Sequence, residues 1–112
     1  MISRIFSFLS LIRRANKLQI GVFSVLKAIQ LGNAKYVIIA CDTAENTKRK
    51  IVTQCEYEDV PYTTFGDKTS LGECIGKKES VCVAVTDENF KNGLLKVLNA
   101  NNAGGEGYVN KQ

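Results

Sequence analysis

The sequence predicts an α/β protein, a three-layer α/β/α sandwich around a small four-stranded mixed sheet. Two continuous apolar, β-branched runs carry that expectation: Tyr36-Val37-Ile38-Ile39-Ala40-Cys41 and Val81-Cys82-Val83-Ala84-Val85. A strand without polar alternation is covered on both faces and therefore needs helices on both sides. The third observation is that segments with apolar residues at helical spacing alternate with the strand-like runs along the whole chain, the pattern of a layered α/β domain.

The elements follow in order. Ile5, Leu9 and Ile12, with Phe8 beside them, form one face of an amphipathic first helix over residues 2–15. Leu18-Gln19-Ile20 reads as a short edge strand. In residues 22–31, Val22, Val25, Leu26, Ile29 and Leu31 recur at near-helical spacing and predict a buried stripe. Gly32-Asn33 stops that helix, because both residues tolerate the left-handed C-terminal conformation. After Asp42, residues 43–47 (TAENT) are rich in capping types and open a helix reaching residue 57, with Ile51, Val52 and Cys55 inward. Lys48, Arg49 and Lys50 near its start oppose the helix macrodipole.

Residues 60–65 (VPYTTF) give a further strand, with the chain's single proline near its start, where a missing N–H does least harm. Gly66-Asp67 turns into a short helix over 68–75, ended by Gly76, and residues 77–80 (KKES) form a polar loop before the second apolar run. Thr86 is expected to cap the last helix, with Asp87 and Glu88 in its first turn and Phe90, Leu94, Leu95, Val97 and Leu98 as its apolar stripe. Residues 99–112 carry no periodicity and read as a disordered tail, leaving a single domain over 1–98.

At 112 residues the chain can bury one real core, and its 45% hydrophobic and 23% charged fractions are ordinary globular values. Fifteen Lys and Arg against eleven Asp and Glu give a net charge of +4, a mild excess compatible with a nucleic-acid partner. It is unevenly placed: Arg4, Arg13, Arg14, Lys17, Lys27 and Lys35 precede the first acidic residue, Asp42. The four cysteines form no C-x-x-C pair and histidine is absent, so neither zinc-ligand spacing nor a disulfide framework is visible. Cys41 and Cys82 fall in predicted strands and Cys55 and Cys74 on predicted helices, where a reduced thiol behaves as a small hydrophobe. Such a chain is expected in the cytoplasm. The opening MISRIFSFLSLIRR is broken by Ser7 and Ser10 and is short of the ~20 apolar residues that span a bilayer.

The inventory for catalysis is thin. Without histidine there is no Ser-His or Cys-His nucleophile. No paired carboxylates close a strand, and neither a Walker loop nor G-x-G-x-x-G occurs. Asp42 ends a strand where α/β folds place function, although helix capping explains it equally. The helix after Gly21 offers N–H groups suited to a phosphate, and Lys27 either adds charge there or lies on a solvated face. A non-enzyme without cofactor, metal, membrane or small-molecule substrate is the expectation.

Taken together, Gly21-x5-Lys27, Gly32-x-Ala34-Lys35-x-Val37-Ile38-Ile39-Ala40-x-Asp42, Val60-Pro61-Tyr62, Leu71-Gly72 and Gly76 resemble the kink-turn-binding ribosomal-protein family. That group includes the archaeal large-subunit protein L-seven-Ae and the eukaryotic L-thirty-e protein. Residues 9–18 (LSLIRRANKL) and Asp42-x3-Asn46-Thr47-x-x-Lys50 are most similar to its bacterial YlxQ-type members. The resemblance covers roughly residues 8–98.

It implies the same sandwich and an RNA site made by the N-terminus of the second helix and the loop before the last strand. Carried over by position, the site comprises Gly21, Val22, Phe23, Ser24 and Lys27, with Asp42 and the loop residues Lys77, Lys78, Glu79 and Ser80. Strong kink-turn binders have Asn and Glu two and three positions after the Gly, where this chain has Phe23 and Ser24. Base-edge contacts worth roughly 1–3 kcal/mol each are thereby lost. Phe23 either stacks on an unpaired base or packs as a hydrophobic staple. The implied function is binding of ribosomal or other structured RNA. The alternative is a protein-interaction module on the same fold, and a thiol-redox enzyme would require an exposed, acidic cysteine.

Overall fold

The computed structural model describes residues 4–102 and 110–111. The elements run α1 (Arg4–Arg14), β1 (Leu18–Ile20), α2 (Val22–Gln30), β2 (Tyr36–Ile39), α3 (Glu45–Tyr57), β3 (Tyr62–Thr64), α4 (Lys68–Glu73), β4 (Cys82–Val85), α5 (Glu88–Asn102) and β5 (Asn110–Lys111). The four expected strands form a mixed sheet in the order β1-β4-β2-β3, and β5 adds a two-residue edge beside β3. β4 is antiparallel to both β1 and β2, whereas β2 and β3 are parallel. The tail expected from residue 99 falls largely outside the described residues; within them, α5 continues to Asn102 and β5 pairs with β3.

The sheet's alternation sorts the core into two layers. Tyr36, Ile38, Ala40, Val83 and Val85 face α1, α4 and α5, where Ile5, Leu9, Ile12, Leu71, Ile75, Leu94 and Leu98 close against them. Val37, Ile39, Cys82 and Ala84 face the opposite way, onto Val25, Ala28 and Ile29 of α2 and Ile51 and Cys55 of α3. Every residue of β2 and β4 is buried, which is why their sequences show no polar alternation. α2 and α3 thus form one outer layer, and α1, α4 and α5 the other.

Local structure departs from expectation in three places, two of them helix caps. Asp87, not Thr86, caps α5: its carboxylate accepts from the Phe90 N–H at 2.9 Å, while the Thr86 hydroxyl donates to the Lys17 carbonyl. Three residues before a helical N–H is the spacing that lets a short carboxylate reach it, and Thr86 is one residue too early. The capping types before α3 do not cap it either, since Ala44 occupies the cap position and the buried Thr43 hydroxyl donates to the Ala40 carbonyl at 2.7 Å. Leu31, expected in the stripe of α2, is 64% exposed, because it lies beyond the last helical turn and Gly32 (φ 79°) turns the chain away.

Candidate nucleic-acid interface

The site begins at Gly21. Its φ of 93° and ψ of 160° lie in a backbone region that is essentially glycine's alone. This lets the chain leave β1 and enter α2 without an intervening loop. The Gly21 carbonyl accepts the first helical bond from Val25 at 2.9 Å. The N–H groups at the start of α2 receive no side-chain cap, so the positive end of the helix dipole faces outward. The Gly21 N–H itself donates to the Cys82 carbonyl at 3.0 Å, fixing the helix start to the first residue of β4.

Because β4 is preceded directly by the 77–80 loop, that bond brings the loop and the α2 N-terminus to one end of the sheet. The loop is held on its other side by α4. The Lys77 N–H donates to the Gly72 carbonyl and the Ser80 N–H to the Lys68 carbonyl, both at 2.9 Å. Gly72 allows this approach, since a Cβ there would collide with the backbone of Glu79. Asp67 caps α4 by accepting from Ser70 at 2.7 Å, and that bond holds its carboxyl below the usual range.

The ten implicated residues divide by this geometry. Phe23 and Lys27 are exposed on α2, Gly21, Val22 and Ser24 are half-buried at its start, and Lys77, Lys78 and Glu79 are exposed on the loop. Among the described residues, Lys27, Lys77 and Lys78 take part in no ion pair. Ser80 is 5% exposed and its hydroxyl donates to the Cys82 carbonyl, so it anchors the loop from inside rather than offering a contact. Asp42 is exposed three residues beyond β2, and its carboxylate accepts from the Lys68 N–H at 2.9 Å. Asp42 therefore caps the first turn of α4 across the chain, not α3. Thr43 ties the same region to the loop, with its hydroxyl 3.4 Å from the Val81 carbonyl.

Phe23 is 78% exposed, which rules out the hydrophobic-staple packing. Sequence reasoning missed the groove beside it. This groove, about 540 Å³, runs along α2 past Phe23, Ser24, Lys27 and Leu31 and is also lined by Gln19, Asn33 and Thr86. Its signal in the sequence was the i, i+4, i+8 spacing of Phe23, Lys27 and Leu31, which puts them on one helix face.

The cysteines divide as well. Burial pushes the thiols of Cys55 and Cys82 up to about 12 and that of Cys74 to about 11. Cys41, expected inside a strand, instead follows β2 and is exposed, because the strand ends at Ile39. No helix among the described residues is long and apolar enough to cross a membrane.

Comparison with known proteins agrees with this architecture. The chain is 40% identical over 93 residues to the RNA-binding protein YlxQ of Bacillus subtilis, covering 83% of this chain and 93% of that protein. It is 30% identical over 82 residues to the large ribosomal subunit protein eL30 of Methanosphaera stadtmanae, covering 72% of this chain and 84% of that one. Among solved structures, a Bacillus halodurans protein of unknown function superposes with a TM-score of 0.82 at 33% identity, covering 87% of this chain and 98% of the other. The ribosomal protein L7Ae/L30e/S12e/Gadd45 family profile matches residues 3–95, and the chain belongs to that family, whose members are not enzymes.

Proposed function

We propose that this protein binds structured RNA in the cytoplasm, ribosomal RNA being the first class to test, through the surface made by the start of α2, the 77–80 loop and Asp42. The observation that carries this reading is the Gly21–Cys82 hydrogen bond, which unites an uncapped helix N-terminus with a lysine-bearing loop. Helix N–H groups and unpaired lysines both favour phosphate oxygens. The relatives named as RNA-binding or ribosomal proteins support the same reading.

Phe23 cannot make the base-edge hydrogen bonds of the Asn it replaces, and Ser24 offers only a short hydroxyl in place of the Glu carboxylate. The recognition we propose is therefore of folded RNA shape and backbone, with weaker discrimination for a kink-turn. Binding to a consensus kink-turn RNA and to a plain duplex of equal length, each at two salt concentrations, tests this. Binding to both that weakens steeply with salt is expected. Absence of binding to either would transfer the surface to a protein partner, for which the exposed Phe23 and Leu31 would be the natural anchors.

A further inference from the structure

We propose that the groove along α2 receives a single unpaired nucleotide, its base stacked on Phe23 and its phosphate at Lys27. The inference rests on the RNA-binding reading and names what one flank of that surface takes. Phe23 has no aromatic partner: the ring contacts among the described residues are Phe6 with Phe65 and Phe8 with Phe90. Its face is open, and an exposed aromatic ring at the mouth of a groove is a stacking platform for any base.

The remaining lining fits the rest of a nucleotide. Lys27 lies four residues beyond Phe23, about 6 Å along the helix axis, and among the described residues makes no ion pair. Gln19 and Asn33 are exposed and also line the groove, each with an amide that both donates and accepts, as a base edge requires. A groove of about 540 Å³ has room for one nucleotide. A base held in a helix has both faces covered by its neighbours, so only an unpaired one can use the Phe23 ring. An apolar peptide is a poorer occupant, because it brings no negative charge to Lys27.

The test uses an RNA hairpin with one unpaired nucleotide and the same hairpin fully paired. The chain contains no Trp, so Phe23→Trp places a single reporter in the groove. Emission of that Trp is expected to be quenched at saturation by the bulged hairpin and not by the paired one. Phe23→Ala is expected to weaken the bulged hairpin by about five-fold or more and the paired one by a smaller factor, so that the preference for the bulge falls. Phe23 is exposed, so neither variant threatens the fold. Equal wild-type affinity for both hairpins, with unaltered Trp emission at saturation, would overturn the inference and leave RNA binding standing. A wild-type protein that binds neither hairpin would remove the RNA reading and this inference with it.

Discussion

The N–H of Gly21 donates to the carbonyl of Cys82 at 3.0 Å, and this one bond joins the start of α2 to the strand that the 77–80 loop feeds. Sixty residues of sequence separate the two sides of the proposed surface, and β1–β4 pairing carries them to the same sheet end.

Gly21→Ala is expected to destabilise the protein by about 1–3 kcal/mol, because φ 93° and ψ 160° exclude a side chain. A Cβ there meets nothing within 4 Å, so the cost is conformational and not steric. Urea denaturation measures it, and RNA affinity at a temperature where the variant stays folded should fall as well, because relief of the strain re-aims the helix start.

Gly72→Ala acts by the opposite route. The added methyl would occupy the position of the Glu79 backbone, which cannot rotate away as a side chain could. Overpacking of this kind costs about 1–3 kcal/mol or more. The loop carrying Lys77 and Lys78 must move, so the variant should lose both denaturation midpoint and RNA affinity.

The thiols give a pH-dependent prediction. In the native protein one cysteine per chain, Cys41, should react rapidly with a thiol reagent at pH 8, and all four should do so in denaturant. Cys55 and Cys82 titrate near 12 when folded against an ordinary 9.0. The folded state therefore holds protons that the unfolded chain releases. Stability should be full below pH 9 and decline as pH rises from 9 toward 12, read from urea midpoints across that range.

Lys27→Ala should weaken RNA binding and make the dependence of log K on log salt shallower by about 0.9, the signature of one lost phosphate contact on a duplex. Affinity measured at four or five salt concentrations gives the slope, and an unchanged slope would take Lys27 out of the interface.

The fold was legible because β2 and β4 are buried on both faces, and burial of that kind writes itself as an uninterrupted apolar run. The helices were legible from their stripes, with ends misjudged by one or two residues where local bonds decide, as at Leu31 and Thr86. What stayed hidden depends on partners distant in sequence. The bond from Lys68 to Asp42 spans 26 residues, and the contact of Gly72 with Glu79 depends on how α4 packs. The exposure of Phe23 was equally hidden, since an apolar residue in a first helical turn is compatible with either packing or solvent. Ser80, in a loop of polar residues, gave no sign that it would be buried.

The most direct test of a shared surface is a two-dimensional amide NMR titration of the wild-type protein with structured RNA. Shifts concentrated in residues 19–33, 41–43 and 77–82, moving together with one affinity, are the predicted result. Shifts concentrated on α1 and α5 on the opposite layer, with residues 21–27 and 77–82 unmoved, would contradict it.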